Sequence, residues 1–267
     1  MEKAVYVSKT SHLDLATKEY ERLYFGNDFC QNLIPLEKEL DLAIKSAEKK
    51  GQTFTLVTPY VTDDGLEKLK PLFRKLSEDK PEAEVVVNDW GVLRLLNREY
   101  GSMQPVLGRL LNKMKRGPRI LNVIDKMPKS ALSYFQKSNV TIPEYRKLLN
   151  RHRIKRIEFD NLLQGIELDL NYTDTPLRGS LYAPYAYVTT TRLCLTNGCD
   201  RIGEKDRIGI FPCRKECQKY TFKLTNKDMP VPMVLKGNTQ FFRNDNIPEN
   251  LEPKGIDRVV WQPEIPI

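Results

Sequence analysis

Strand-like runs rich in β-branched and aromatic residues alternate with amphipathic helical stretches over the first two thirds of the chain, and few folds accommodate that order. Residues 21–26 (ERLYFG) read as a strand, and residues 34–50 place Leu36, Leu40, Ala43, Ile44 and Ala47 on one helical face before Gly51 stops the helix. A strand over 53–58, a helix over 63–78 capped by Asp63 or Asp64, a strand over 84–87, a helix over 90–100 and a strand over 105–111 follow. Beyond them the pattern predicts a helix over 143–152 and strands over 156–159 and 185–191. Alternation at this frequency implies parallel strands joined by right-handed crossovers.

The period and the length of 267 residues favour an α/β fold of the TIM-type (β/α) barrel class, in an irregular form, over an open doubly wound sheet. After Cys217 the chain changes character: YTFKL, PMVLKGNTQFFR and DRVVWQPEIPI are strand-like and separated by Pro and Asn. We therefore expect a single barrel-like domain over 1–267, with a (β/α) core over 20–217 that carries the cysteines and a β-rich segment over 218–267 that completes or covers the barrel. In a barrel the reactive groups stand where strands end and loops begin. Cys30 after YFG, Asn88 and Asp89 after EVVV, and Arg109 after PVLG all fall at such points.

No stretch has the apolar core of a signal peptide or the length of a membrane span, so a cytoplasmic protein with no membrane association is expected. Disulfides are rare in a reducing compartment, and the five cysteines then point to metal or redox chemistry. Two constructions are open. In one, Cys194-x4-Cys199 and Cys213-x3-Cys217 form two knuckles around zinc, with Cys30 a spectator. In the other, Cys30, Cys194, Cys213 and Cys217 bind a [4Fe-4S] cluster at the barrel mouth, with Cys199 the spectator and alternate ligand. Spacing alone slightly favours zinc.

The net charge of +8 is unevenly distributed: residues 109–156 hold fourteen Lys and Arg against two acids, an excess of twelve that leaves the remainder at −4. This segment, Arg109 to Arg156, suits RNA phosphate or an acidic partner protein, while each half of it also reads as the solvated face of a surface helix.

Four stretches resemble one family: YFGNDFC ending at Cys30, VVVNDWGVLRLL over 85–96, the PVLGRLLNKMKRGPR that follows, and TTRLC leading into CRKEC are similar to the collagenase-like peptidase family U-32, over roughly residues 20–240. The family includes the accessory proteins of oxygen-independent ubiquinone hydroxylation and related proteins that hydroxylate RNA bases using prephenate. The resemblance implies a TIM-type barrel and places the family's cysteine pattern on Cys30, Cys194, Cys213 and Cys217, which in the ubiquinone branch hold a [4Fe-4S] cluster. It also implies a related barrel subunit as partner. The chain departs from the family in two respects. Members labelled as peptidases carry a His-Gly pair ahead of the second cysteine, whereas here the only histidines are His12 and His152, and Cys199 is extra to the pattern.

Three functions follow as expectations. The first is an iron–sulfur enzyme or subunit for oxygen-independent hydroxylation of an RNA base or a small aromatic or quinone precursor. The second is a zinc-stapled, non-catalytic RNA-binding or assembly protein. The third is a peptidase, for which the sequence offers no HExxH, no Gly-x-Ser-x-Gly and no histidine set beside a nucleophile. Among catalytic candidates, Asn88 and Asp89 are placed to orient a substrate or a proton and Arg109 to clamp a carboxylate, although Asn88 or Asp89 also reads as a helix cap.

Overall fold

A computed structural model describes residues 1–171, 176–201, 203 and 211–267. Eight parallel strands close into a barrel: β1 (Glu2–Val7), β2 (Arg22–Gly26), β3 (Thr53–Val57), β4 (Glu84–Val87), β5 (Gln104–Leu107), β6 (Arg156–Asp160), β7 (Arg178–Ala183) and, last in the chain, β12 (Ile256–Trp261), which pairs with both β7 and β1. Helices α1 (Glu37–Lys50), α2 (Asp63–Asp79), α3 (Trp90–Glu99), α4 (Lys129–Gln136) and α5 (Pro143–Arg151) lie in the crossovers between β2 and β6. The barrel is of the TIM type and irregular. Between β7 and β12 the chain leaves the ring to build a four-stranded antiparallel sheet from β8 (Tyr185–Thr190), β9 (Phe222–Leu224), β10 (Met233–Lys236) and β11 (Thr239–Arg243), in the order β8-β11-β10-β9. Among the described residues no helix is long and apolar enough to cross a membrane.

Local chemistry explains where the elements stop. The expected helix from residue 34 begins at Glu37 because Pro35 disfavours helical backbone before it, and Glu39 turns back to accept the Leu36 N–H at 2.7 Å. Gly51 ends α1 in the left-handed region at φ 73°, as its position suggested. Helix α2 begins with Asp63 and Asp64 in its first turn, with Thr62 rather than either aspartate at the cap. Strand β5, expected to reach Leu111, ends at Leu107: Gly108 lies against Asn88, whose Oδ1 accepts the Leu110 N–H at 3.0 Å and bends the chain into the barrel mouth.

The barrel interior is layered. Its middle is an apolar and aromatic belt of Ala4, Tyr6, Tyr24, Val57, Val86, Val106, Tyr182 and Val260, all buried. Beneath it, at the strand N-termini, Arg258 bonds Glu2 (2.6 Å) and Glu84 (2.6 Å), while Arg22 reaches Glu2 at 2.7 Å. The outward-facing alternates, among them Val5, Leu23, Phe25, Leu56, Val85, Ile157 and Phe159, form the larger core against the helices. The N-terminal end is tied in by β1 and by the His12 ring, which meets Glu264 at 2.5 Å.

Candidate functional site

Two arrangements occupy the C-terminal end of the barrel: a buried ion network that plugs the mouth, and a cavity above it lined by cysteines. Both begin at the turn after β2. Gly26 leaves the strand at φ 130°, where a Cβ would lie 2.2 Å from the Val57 carbonyl oxygen, so only glycine fits. Asn27 Oδ1 then accepts the N–H groups of Phe29 (2.9 Å) and Cys30 (2.8 Å). Asp28 and Cys30 belong to the two different arrangements.

In the plug, Arg109 is fully buried and bonds Asp28 Oδ2 at 2.5 Å and Asp160 Oδ1 at 2.9 Å, while Arg116 pairs with the second Asp160 oxygen. Asn88 donates to Asp28 Oδ1 and to the Thr58 carbonyl, both at 2.9 Å. The guanidinium of Arg109 lies 4.1 Å from the Tyr182 ring centroid, and that of Arg116 lies 4.0 Å from Tyr187. Arg109, expected to clamp a substrate carboxylate, therefore clamps two carboxylates of the protein itself. Asp89 caps α3, its Oδ1 accepting from Gly91 N at 2.6 Å and Val92 N at 3.3 Å. None of Asn88, Asp89 and Arg109 borders the cysteine cavity. Tyr182 and Tyr187 are packing and stacking residues of the plug, and Tyr185 lies under Arg243 at 5.7 Å.

The cavity has a volume of about 320 Å³, and Cys30, Cys194, Cys213 and Cys217 all contribute to its wall. Cys30 comes from the turn after β2, Cys194 from the segment leaving β8, and Cys213 and Cys217 from the strap that leads into β9. Buried Glu216 joins the last two stretches, accepting the N–H groups of Gly198 and Arg214 at 3.2 Å each. Phe29, Phe211 and Ile267 supply apolar wall, and Arg192 is the one charged side chain among the described residues that line it. Cys199 is outside the lining.

Burial pushes the Cys30 thiol up to about 11, with the neighbouring Cys217, Cys194 and Cys213 sulfurs adding to the shift. Cys217 is raised too, first by burial and then by Cys194 and Cys213. Raised in this way, the Cys30 and Cys217 thiols favour the protonated form, and ligation by a cation or cluster would displace those protons. Among the described residues, no group of three or more His, Cys, Asp or Glu side chains is arranged to hold a metal ion.

The charged residues beside Cys213 and Cys217, the two histidines and the basic segment are placed as follows. Arg214 is committed to Asp200 (2.6 Å) and Glu216 (3.3 Å), whereas Lys215 and Lys219 are exposed. His152 Nδ1 lies 3.3 Å from the Asn97 amide and His12 faces Glu264, so neither meets a cysteine or serine. Within the basic segment, Arg109, Arg116 and Arg146 are buried, while Lys113, Lys115, Arg119, Lys126, Lys129, Lys137, Lys147, Arg151 and Lys155 are exposed. Sequence reasoning missed Asn238, which lines the cavity from the β10–β11 turn. The Gly-Asn pair signals a hairpin turn, but nothing in the sequence indicates what that turn touches.

No family model and no curated protein matches the chain. Among solved structures it is similar to the U32 peptidase Mk0906, at 10% identity and a TM-score of 0.46, over 99% of this chain and 93% of that one. A mutant plant class V chitinase from Cycas revoluta, solved in complex with (GlcNAc)3, is similar at 10% identity and a TM-score of 0.31, over 98% of this chain and 94% of the chitinase. At these values neither bears on the chemistry of the site.

Proposed function

We propose that Cys30, Cys194, Cys213 and Cys217 hold a [4Fe-4S] cluster and that the protein is an enzyme, or a subunit of one, of the U-32 type that performs oxygen-independent hydroxylation of an RNA base or a small aromatic or quinone precursor. One observation carries the reading: Cys30 borders the same cavity as Cys194, Cys213 and Cys217, whereas the nearer-in-sequence Cys199 does not. Zinc needs four ligands about 2.3 Å from a single point. Four cysteines lining one cavity of about 320 Å³ leave room for a polynuclear cluster. Bound there, the cluster would supply one-electron chemistry. The protein's own part is to present four thiolates, to supply an apolar wall on one side of them with Phe29, Phe211 and Ile267, and to offset negative charge with Arg192.

Anaerobic isolation with iron and sulfide analysis tests this directly. We expect brown protein whose visible absorption is lost in Cys30→Ala and retained in Cys199→Ala. Colourless wild-type protein that holds zinc, and loses it on Cys199→Ala but not on Cys30→Ala, would overturn the proposal in favour of the two knuckles.

An RNA substrate is favoured over a small one by the nine exposed cations of residues 109–156. Arg116 takes no part in this surface because Asp160 holds it in the plug. Neutralising Lys113, Lys115 and Arg119 together should flatten the slope of log affinity against log salt by about 2, from the ~0.7 per phosphate contact expected for single strands. RNA binding that is absent or insensitive to salt would leave the basic surface to a protein partner, the related barrel subunit included.

A further inference from the structure

Cys30 lies 164 positions before Cys194, so nothing in the local chain sets the distance between their sulfurs. The turn joining β10 to β11 bonds the backbone near both. Register pairs Lys236 with Thr239, leaving Gly237 and Asn238 as a two-residue turn, and Gly237 meets its demand for positive backbone at φ 62°. Asn238 is buried, and its Nδ2 donates to the Phe29 carbonyl at 2.7 Å, the Thr191 carbonyl at 2.8 Å and the Tyr60 hydroxyl at 3.0 Å. Tyr60 in turn donates to the Thr191 carbonyl at 2.6 Å. Phe29 precedes Cys30, and Thr191 lies three positions before Cys194. On the other side of the turn, a Cβ on Gly237 would stand 3.4 Å from the Cys217 Cβ. A single hairpin turn thus bonds the backbone beside Cys30 and the approach to Cys194, and lies next to the side chain of Cys217.

We propose that Asn238 is a positioning residue that sets the spacing of the Cys30 thiol relative to those of Cys194 and Cys217, an inference that rests on the reading of these cysteines as ligands of one cluster. The amide does this with donors alone. Its N–H groups face three oxygens belonging to different segments, and its own Oδ1 accepts from the Thr239 hydroxyl at 3.1 Å. Asn238→Asp keeps size and shape but turns a carboxylate toward those oxygens, so the segments lose their common tie. Groups that orient ligands without touching the metal change its affinity on the order of 10- to 100-fold.

The test uses the full chain with Cys199→Ser as background, reconstituted anaerobically with ferrous iron and sulfide. Asn238→Asp should hold several-fold less iron and sulfide per chain, and its visible band should bleach about tenfold faster in air. A second readout needs no cluster: in metal-free protein, a short bifunctional thiol reagent such as dibromobimane should bridge Cys30 to Cys194 or Cys217 in the background protein and fail to do so in Asn238→Asp, as read by peptide mass spectrometry. Asn238→Ala carries the same expectations should the aspartate variant not fold. Wild-type cluster content, air lifetime and bridging in a folded variant would overturn the proposal. Background protein that takes no cluster yet bridges its thiols, with bridging lost in the variant, would overturn the cluster reading and leave the role of Asn238 intact.

Discussion

Arg109→Met should destabilise the protein by about 3–5 kcal/mol, measured as a fall in the urea midpoint at unchanged slope. The side chain is fully buried and satisfies Asp28 and Asp160 together at 2.5 and 2.9 Å. Methionine nearly preserves the volume, so the cost is electrostatic. Asp160 retains Arg116, but Asp28 retains only neutral partners, the Asn88 amide at 2.9 Å and the Tyr6 hydroxyl, and becomes a buried carboxylate without a countercharge. Removing one partner of a buried pair costs far more than replacing the whole group by apolar side chains. The double variant Arg109→Met with Asp28→Asn should therefore recover a substantial part of the loss. A single-variant cost below about 1 kcal/mol would mean that water reaches Asp28 and that the plug is not closed. The effect should extend to the cysteines, because Asp28 is two residues from Cys30 and the Arg109 guanidinium sits 5.2 Å from the Phe29 ring.

This network also shows where the sequence is legible and where it is not. Strands β2 to β6 and helices α1, α2, α3 and α5 stand out because their outward faces are apolar and their crossovers are regular. Strand β7, RGSLYA, escapes the same reading: the side chains it turns inward are Ser180 and Tyr182, and the glycine ahead of them packs under Ile256 and Leu170. Strand β1 escapes for a related reason, since EKAVYV begins with Glu2, a member of the charged layer at the barrel floor. Polar interiors invert the pattern that betrays a strand. The position of Arg109 at a strand end was readable, but its partners were not, because Asp28 and Asp160 lie 81 and 51 residues away. Cys30 could be singled out as a candidate ligand, whereas Asn238 could not, because its contacts exist only once β10 and β11 pair beside the turn after β2.

The floor of the barrel supports the second large effect, with the opposite sign. Glu158 is fully buried on β6; its Oε1 accepts from the Tyr24 hydroxyl at 3.2 Å, and its Oε2 has no hydrogen-bond partner. Burial pushes its carboxyl from 4.5 up to about 8, against the pull of Arg258 and Arg156 and with a further push from Glu84. Between those two values the folded protein keeps a proton that the unfolded chain releases, so this residue's contribution to stability falls as pH rises. It is most favourable below the unfolded value and is lost progressively until the folded group itself ionises. Glutamine holds the same shape with no proton to lose. Glu158→Gln should therefore match the wild type near pH 5 and exceed it near pH 8 by a few kcal/mol, on the order of 1.4 kcal/mol per unit of displacement and less where the site relaxes. Urea unfolding of both proteins across that range provides the check. An advantage that does not change with pH would assign it to hydrogen bonding rather than charge, and a variant weaker than the wild type near pH 8 would mean that Glu158 is ionised in the fold and held so by Arg258.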